Sequence, residues 1–239
     1  ALGVLEPWMS GIGGGGLMMV RHPNGKVDTI DFGMRSPEAM RMEDYPLAEG
    51  ESNELFSWPA VKDDRNMTGP LSIAVPGVVD GLGTAHAAWG SRRWADLVAP
   101  AVSLAREGLS VDWYTTLMIG QCAHGLARWP ASAERFLPGG HPPPSPMSPT
   151  EERRLLLATL ADTLEILMHE GPRAFYEGSL ANRISEEAQI LGSSLSASDL
   201  ADYRAEIRKP ISIPYRDAQI WATPELSAGP TMAHVLRQF

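Results

Sequence analysis

Ser10-Gly-Ile-Gly-Gly-Gly-Gly16, Leu17-Met-Met-Val20, Arg21-His-Pro-Asn-Gly-Lys26 and Val27-Asp-Thr-Ile-Asp-Phe32 follow one another without a break near the start of the chain. Two runs of strand length flank Asn24-Gly25, a pair suited to a tight turn that needs positive φ, so the stretch predicts a β-hairpin in a sheet with at least one covered face. The four successive glycines ahead of it make the backbone either turn sharply or pass close against another segment. Close packing is the favoured expectation. The run also satisfies G-x-G-x-x-G, a backbone cradle for a pyrophosphate, but that cradle follows a strand and opens a helix. Here the glycines lead into a strand and no Lys-Ser/Thr follows, which disfavours nucleotide binding.

Beyond the hairpin, residues 35–66 are polar, acidic and without a sustained period, and read as a long loop. Val78, Leu82, Ala85 and Trp89 fall at helical spacing, closed by Gly90. Trp94 to Ala105 repeats the pattern up to Gly108, with Pro100 either kinking this helix or marking its first turn. Pro138 to Pro149 is irregular and stiff. Ser148, Pro149 and Glu151 then form a capping-box signal for a helix whose apolar face is Leu157, Leu160, Leu164 and Leu167, stopped by Gly171-Pro172. A second helix carries Leu180, Ile184 and Leu191 to Gly192, and Ser196 with Asp199 caps a short third one ending near Tyr203. Ile211–Ile213 and Ala218–Ala222 read as short strands, and residues 229–239 return to helical spacing through Met232, Val235 and Leu236.

The chain has 239 residues, 44% of them hydrophobic and 21% charged, which suits a globular protein somewhat rich in loops and excludes coiled-coil, collagen-like and low-complexity chains. Its net charge of −9 repels phosphate backbones and anionic lipid surfaces, so no nucleic-acid partner is expected. No apolar run is long enough to span a bilayer. The first residues, Ala1-Leu-Gly-Val-Leu-Glu-Pro7, lack an initiator Met and read as a cut through something longer.

Few residues advertise chemistry. The six histidines form no i,i+4 pair and no H-E-x-x-H motif, and the single Cys122 cannot seed a thiolate site, so no metal is expected. His86 and His169 have structural explanations, one at core spacing and one in a last helical turn where a cation suits the dipole. Cys122 reads as a buried small apolar residue, and without G-x-S-x-G a serine hydrolase of the α/β type is unsupported.

The order of the motifs says more. Leu5-Glu-Pro7, the glycine run, Ile30-Asp-Phe32 with Ser36-Pro37, Ala74-Val-Pro-Gly77, Gly81-Leu82, Pro100 to Ala105 with Gly108, Gly171-Pro172, Phe175-Tyr-Glu-Gly178, Asp199-Leu-Ala-Asp-Tyr203 and Tyr215-Arg216 together resemble the large-subunit region of γ-glutamyltranspeptidases. The resemblance covers nearly the whole of residues 1–239, read as one region incomplete at both ends. It implies the αββα sandwich of N-terminal-nucleophile hydrolases, of which this would be a helix-rich large-subunit fragment. It also implies self-cleavage of a precursor, a partner small subunit whose new N-terminal Thr is the nucleophile and whose α-amine is the base, and a small-molecule amide substrate such as a γ-glutamyl compound. No cofactor is implied, and a periplasmic or secreted location is left open. The catalytic Thr is expected beyond Phe239, so the fragment alone is expected to be inactive and to expose apolar surface to its partner.

One substrate contact is expected within these residues. In the family an Arg shortly after the Asp-Phe strand pairs with the donor's α-carboxylate. Here the strand continues Asp31-Phe32-Gly33-Met34, and Arg35 is the candidate, two positions later and hence about 6–7 Å along an extended strand on the same face. The family's Pro-Pro-Pro-Ser-Ser-Gly-Gly segment is replaced by Thr223-Pro-Glu-Leu-Ser-Ala-Gly-Pro230, with Glu225 and Leu226 where small or ring-closed residues stand. Both departures fall where donor choice is set. A cephalosporin-acylase-like amidohydrolase and a non-catalytic relative acting as a binding module are the alternatives.

Overall fold

The computed structural model describes residues 1–51, 58–148 and 150–238. In chain order these residues form α1 (Leu2–Leu5), α2 (Pro7–Ser10), β1 (Gly16–Arg21), β2 (Val27–Phe32), β3 (Leu47–Glu51), β4 (Pro59–Val61), α3 (Val78–Trp89), α4 (Trp94–Glu107), β5 (Leu109–Ser110), α5 (Trp113–Ala127) and α6 (Pro130–Phe136). They continue with β6 (Arg154–Leu155), α7 (Ala158–Glu170), α8 (Gly178–Ile190), α9 (Ala197–Asp202), β7 (Glu206–Arg208), β8 (Ile211–Tyr215), β9 (Ala218–Ala222) and α10 (Gly229–Leu236). The mixture is α+β.

The predicted hairpin is the organising element. β1 and β2 pair antiparallel from Gly16↔Phe32 to Arg21↔Val27, with Gly25 in the turn at φ 84°. On the far side of β2 lies β7, in register at Thr29↔Arg208 and Asp31↔Glu206, so β2 is central. It is correspondingly buried, with Thr29 and Ile30 at 0% exposure. Its one deeply placed carboxylate, Asp28, is satisfied by His22 Nε2 and Lys26 Nζ, each at 2.9 Å. The hydrogen bond from Lys26 is the main cause that holds the Asp28 carboxyl below its ordinary range.

The glycine run packs as expected. A Cβ on Gly15 would lie 2.6 Å from the Met34 nitrogen and 2.8 Å from the Phe32 carbonyl oxygen. The Gly14 carbonyl accepts the N–H groups of Gly77 (2.8 Å) and Val78 (3.1 Å), satisfying donors that the start of α3 leaves open. Gly77 and Gly81 close the other side, since a Cβ at either would strike Phe32, at 2.0 Å from its carbonyl oxygen and 2.3 Å from its Cγ respectively.

Two larger cores flank this junction. One joins α4 to α7 through Ala101, Ala105 and Ala161 with Leu109, Leu155 and Leu164, the small side chains letting the helices approach closely. The other gathers Val79, Leu167, Tyr176, Leu200 and Tyr203 around α3, α8 and α9. A smaller one seats α10 on the β8–β9 hairpin through Ile213, Ala222 and Ala233. An apolar groove of about 470 Å³ runs between α1, α3, α4 and α7, and Leu82 and Leu97 are partly exposed on it.

Several expectations need correction. The helix signalled at Ser148 starts only at Ala158, because Arg154–Leu155 is drawn out as β6 against β5 and Leu157 takes the cap position. Ser148 and Glu151 serve a turn instead: the Met147 N–H donates to Glu151 Oε2 at 3.1 Å. Pro149 lies outside the described residues. The 35–66 segment contains paired strands, β3 and β4, although residues 52–57 are not described. Pro100 sits inside α4. Cys122 is exposed, because the buried stripe of α5 runs through Thr115 and Ile119. On α10 the buried residues are Gly229 and Ala233, while Met232 and Val235 are partly exposed. Helix α6 and strand β7 were not foreseen.

Candidate functional site

The C-terminal end of β2 is where the sequence places the donor contact. After Phe32 the chain leaves the sheet, and the Gly33 N–H donates to Asp31 Oδ1 at 2.9 Å. Arg35 forms an isolated antiparallel bridge with Val75, its N–H donating to the Val75 carbonyl at 3.3 Å and its carbonyl accepting at 2.8 Å. This bridge turns the Arg35 side chain across the end of β7. Its Nη2 donates to Glu206 Oε1 (2.8 Å) and to the Arg204 carbonyl (3.3 Å), and its Cζ lies 5.3 Å from the Tyr203 ring centroid. Arg35 lines a cleft of about 200 Å³ with Ser36, Glu38, Val75, Asp199, Asp202 and Tyr203. Three of those neighbours are carboxylates, so the cleft is acidic apart from Arg35 itself.

The segment bearing Arg35 is gripped from below by α9. The Ser196–Asp199 capping box forms, and Asp199 Oδ1 also accepts the Glu38 N–H at 2.8 Å. Tyr203, 2% exposed, donates its hydroxyl to the Gly33 carbonyl at 2.7 Å. Burial pushes its phenol up to about 12. Its ring stacks on Tyr176, centroids 5.6 Å apart and planes 13° apart, and burial raises the Tyr176 phenol further. The Tyr176 hydroxyl donates to the Pro76 carbonyl and accepts the Asp80 N–H, both at 3.0 Å. Below the stack, buried Asp80 accepts from Arg173 Nη1 at 3.0 Å and from the Ala205 N–H at 2.7 Å, while Arg173 also donates to the carbonyls of Ala201 and Tyr203. A satisfied charge network thus fixes the backbone that bears the candidate contact.

Arg208, in β7, supplies a second guanidinium at this edge and carries no local sequence signal. Glu206-Ile-Arg208 is three residues of charged–apolar–charged alternation, too short to stand out. Its Nε lies 3.5 Å from Asp31 Oδ2 and its Nη2 3.0 Å from Glu206 Oε2, while Nη1 meets Glu225 Oε1. Glu225 comes from the Thr223–Pro230 segment. There Ser227 Oγ donates to the Thr223 carbonyl and accepts the Gly229 N–H, folding the segment back so tightly that a Cβ on Gly229 would lie 1.8 Å from the Thr223 carbonyl oxygen. Glu225 itself is at φ 55°, a left-handed conformation uncommon outside glycine. The two places where the sequence departs from the family pattern, Gly33-Met34 and Glu225-Leu226, are therefore joined through Arg208. Leu226 points fully into solvent.

Other sequence candidates lie elsewhere. His86 Nε2 donates to the Arg92 carbonyl at 2.7 Å, a structural role, and His169 is in the last turn of α7. Among the described residues there is no group of three or more His, Cys, Asp and Glu side chains arranged to hold a metal ion, and no helix long and apolar enough to cross a membrane.

The chain is 35% identical over 228 residues to the acylase ACY 1 proenzyme of Pseudomonas sp. (strain SE83), which covers 95% of the chain and 39% of that protein. It is 34% identical over 230 residues to the glutathione hydrolase proenzyme of Bacillus subtilis (strain 168), covering 96% of the chain and 37% of that protein. The chain thus spans well under half the length of these curated relatives. The crystal structure of Helicobacter pylori γ-glutamyltranspeptidase superposes with a TM-score of 0.85 at 25% identity, over 97% of this chain and 62% of that one. A family model described as gamma-glutamyltranspeptidase matches residues 1–239, and the chain that builds this strand end belongs to the γ-glutamyltranspeptidase family.

Proposed function

We propose that these residues are the large-subunit part of a self-processing enzyme that transfers or hydrolyses the acyl group of an amide donor such as a γ-glutamyl compound. The observation that carries this reading is the match to the family over residues 1–239; the fixed, charge-bearing strand end at Arg35 supports it. The chemistry belongs to the partner small subunit, cut from the same precursor. Its N-terminal Thr hydroxyl attacks the amide carbonyl, its α-amine takes the hydroxyl proton and passes it to the leaving amine, and water or an acceptor amine then releases the acyl group. This chain's part is to orient the donor's head group. Arg35 is the contact, presented as a cation already paired with Glu206 and backed by Tyr203.

A second reading, an acylase-like amidohydrolase with a different donor, is favoured by one observation: both guanidinium groups at the strand end already hold carboxylates of this chain. The first test is expression of the complete gene, with intact masses and N-terminal sequencing of each product. Two fragments, one beginning with Thr, are expected. A single uncleaved chain would overturn the enzyme reading in favour of a non-catalytic relative. Given processing, Arg35→Ala should raise KM for a donor whose head group carries a carboxylate, such as a γ-glutamyl compound, about tenfold or more, the value of a charge-assisted contact of about 1.5–3 kcal/mol. An unchanged KM would remove Arg35 from the site.

A further inference from the structure

The charges at the end of β2 support a narrower statement, which rests on the acyl-transfer reading above. We propose that Glu225 sets the charge of the donor's head group: by occupying Arg208 from within the chain, it makes this site rank ammonium above neutral and neutral above carboxylate.

The argument begins with a local balance. Arg35 and Arg208 face Asp31, Glu206 and Glu225, so two cations are outweighed by three carboxylates. The adjoining cleft adds Glu38, Asp199 and Asp202. A carboxylate arriving here has to displace one already bound, and the field around it stays negative. An ammonium group meets the opposite situation.

The placement of Arg208 makes it the relevant cation. It shares Asp31 with the Gly33 N–H, so its guanidinium lies beside the position that lacks a side chain. A Cβ at Gly33 would meet only Asp31 Oδ1, at 3.2 Å, which leaves ground there for a ligand. Glu225 reaches Arg208 because the turn is built to present it. Its carbonyl accepts the Ser227 N–H at 2.8 Å, the Thr223–Ser227–Gly229 contacts close the loop, and the residue is held in a left-handed conformation that a non-glycine residue adopts only at a cost. Strain maintained at one residue, whose side chain closes the charge circuit of the site, is the mark of a selected contact rather than of a solvated acid.

The test uses the self-processed protein from the complete gene and four p-nitroanilides that differ only in head group: γ-glutamyl (both charges), 4-aminobutyryl (ammonium), butyryl (neither) and glutaryl (carboxylate). The 4-aminobutyryl donor should exceed the glutaryl donor at least tenfold in kcat/KM, with butyryl between them. Glu225→Gln, which keeps the shape and removes the charge, should shrink that ratio at least threefold through KM with kcat little changed. Glu225→Gly, which relieves the backbone as well, should give the same ratio as Glu225→Gln. A preference of the unaltered protein for glutaryl, or a ratio that Glu225→Gln leaves in place, would overturn the proposal. Calorimetric binding of 4-aminobutyramide, butyramide and glutaramate reads the same ranking without turnover. A protein that cleaves none of the anilides would sink the acyl-transfer reading, while the binding order would still decide the role of Glu225.

Discussion

Arg173 packs on Tyr176 and Arg35 on Tyr203, and the two rings stack on each other, so two arginine–carboxylate networks share one aromatic spacer. They are made of the same parts and sit in different solvents. Asp80, the anchor of the inner network, has a side chain only 9% exposed and takes its bonds from Arg173 and a backbone N–H. In the outer network Arg35 and Glu206 are each about half exposed, at 51% and 47%. Burial makes the inner pair hard to replace, because removing Arg173 leaves the Asp80 carboxylate without a cation in a poor dielectric. Exposure makes the outer pair exchangeable, since water stands ready to replace either partner. A binding edge needs the second property and a scaffold needs the first.

The sharpest way to break this contrast is Arg173→Ala. Leaving the buried Asp80 carboxylate with only the Ala205 N–H should cost about 3–5 kcal/mol, read as a drop in the denaturant midpoint. A loss below about 1 kcal/mol would put the inner network on the same footing as the outer one. Next comes the shared spacer: Tyr203→Phe removes the bond to the Gly33 carbonyl and should cost about 1–2 kcal/mol, with the fold intact by circular dichroism.

The same ring gives a pH signature. The Tyr203 phenol is raised by burial to about 12, so the folded chain keeps a proton that the unfolded chain releases near its ordinary value of 10. Stability should therefore be untouched below pH 10 and fall as pH rises from 10 toward 12, by up to about 1.4 kcal/mol per pH unit for this tyrosine. Melting temperatures across pH 8 to 12 report the slope, and Tyr203→Phe should make it shallower. An unaltered slope would detach the spacer from the titration. The smallest expected effect is on the outer side, where Glu206→Ala should change stability by no more than about 1 kcal/mol, less still in 1 M salt. A larger, salt-insensitive loss would show the edge to be scaffold after all.

Legibility in the sequence follows the range of the interactions. The hairpin could be read because Asn24-Gly25 and its flanking strands carry the whole signal locally, and the α9 cap because Ser196 and Asp199 meet within one turn. The close approach of Gly14 and Gly15 was foreseeable from the absence of side chains, although not its partners, Phe32, Met34 and Gly77. The bounds and buried face of helix α5 escaped because two glycines and adjacent threonines blur its stripe and only Thr115 and Ile119 are buried on it. At the site, Arg35 and Glu225 were visible as departures from a pattern. Arg208, which holds Glu225 and shares Glu206 with Arg35, was not, since its place is fixed by pairing with Thr29, far away in the chain.

That pairing also dictates a timetable. The edge of β2 that β7 covers stays open until Glu206 has been made, 171 positions after Arg35. At about 5–20 residues per second, a nascent chain waits about 9–34 seconds with a finished hairpin and an uncovered strand edge. Strand β1 cannot substitute, being already paired on the other side of β2. Ribosome-bound chains halted before residue 206 should therefore be the form most in need of a chaperone, and those halted well past Arg208 the first to escape it.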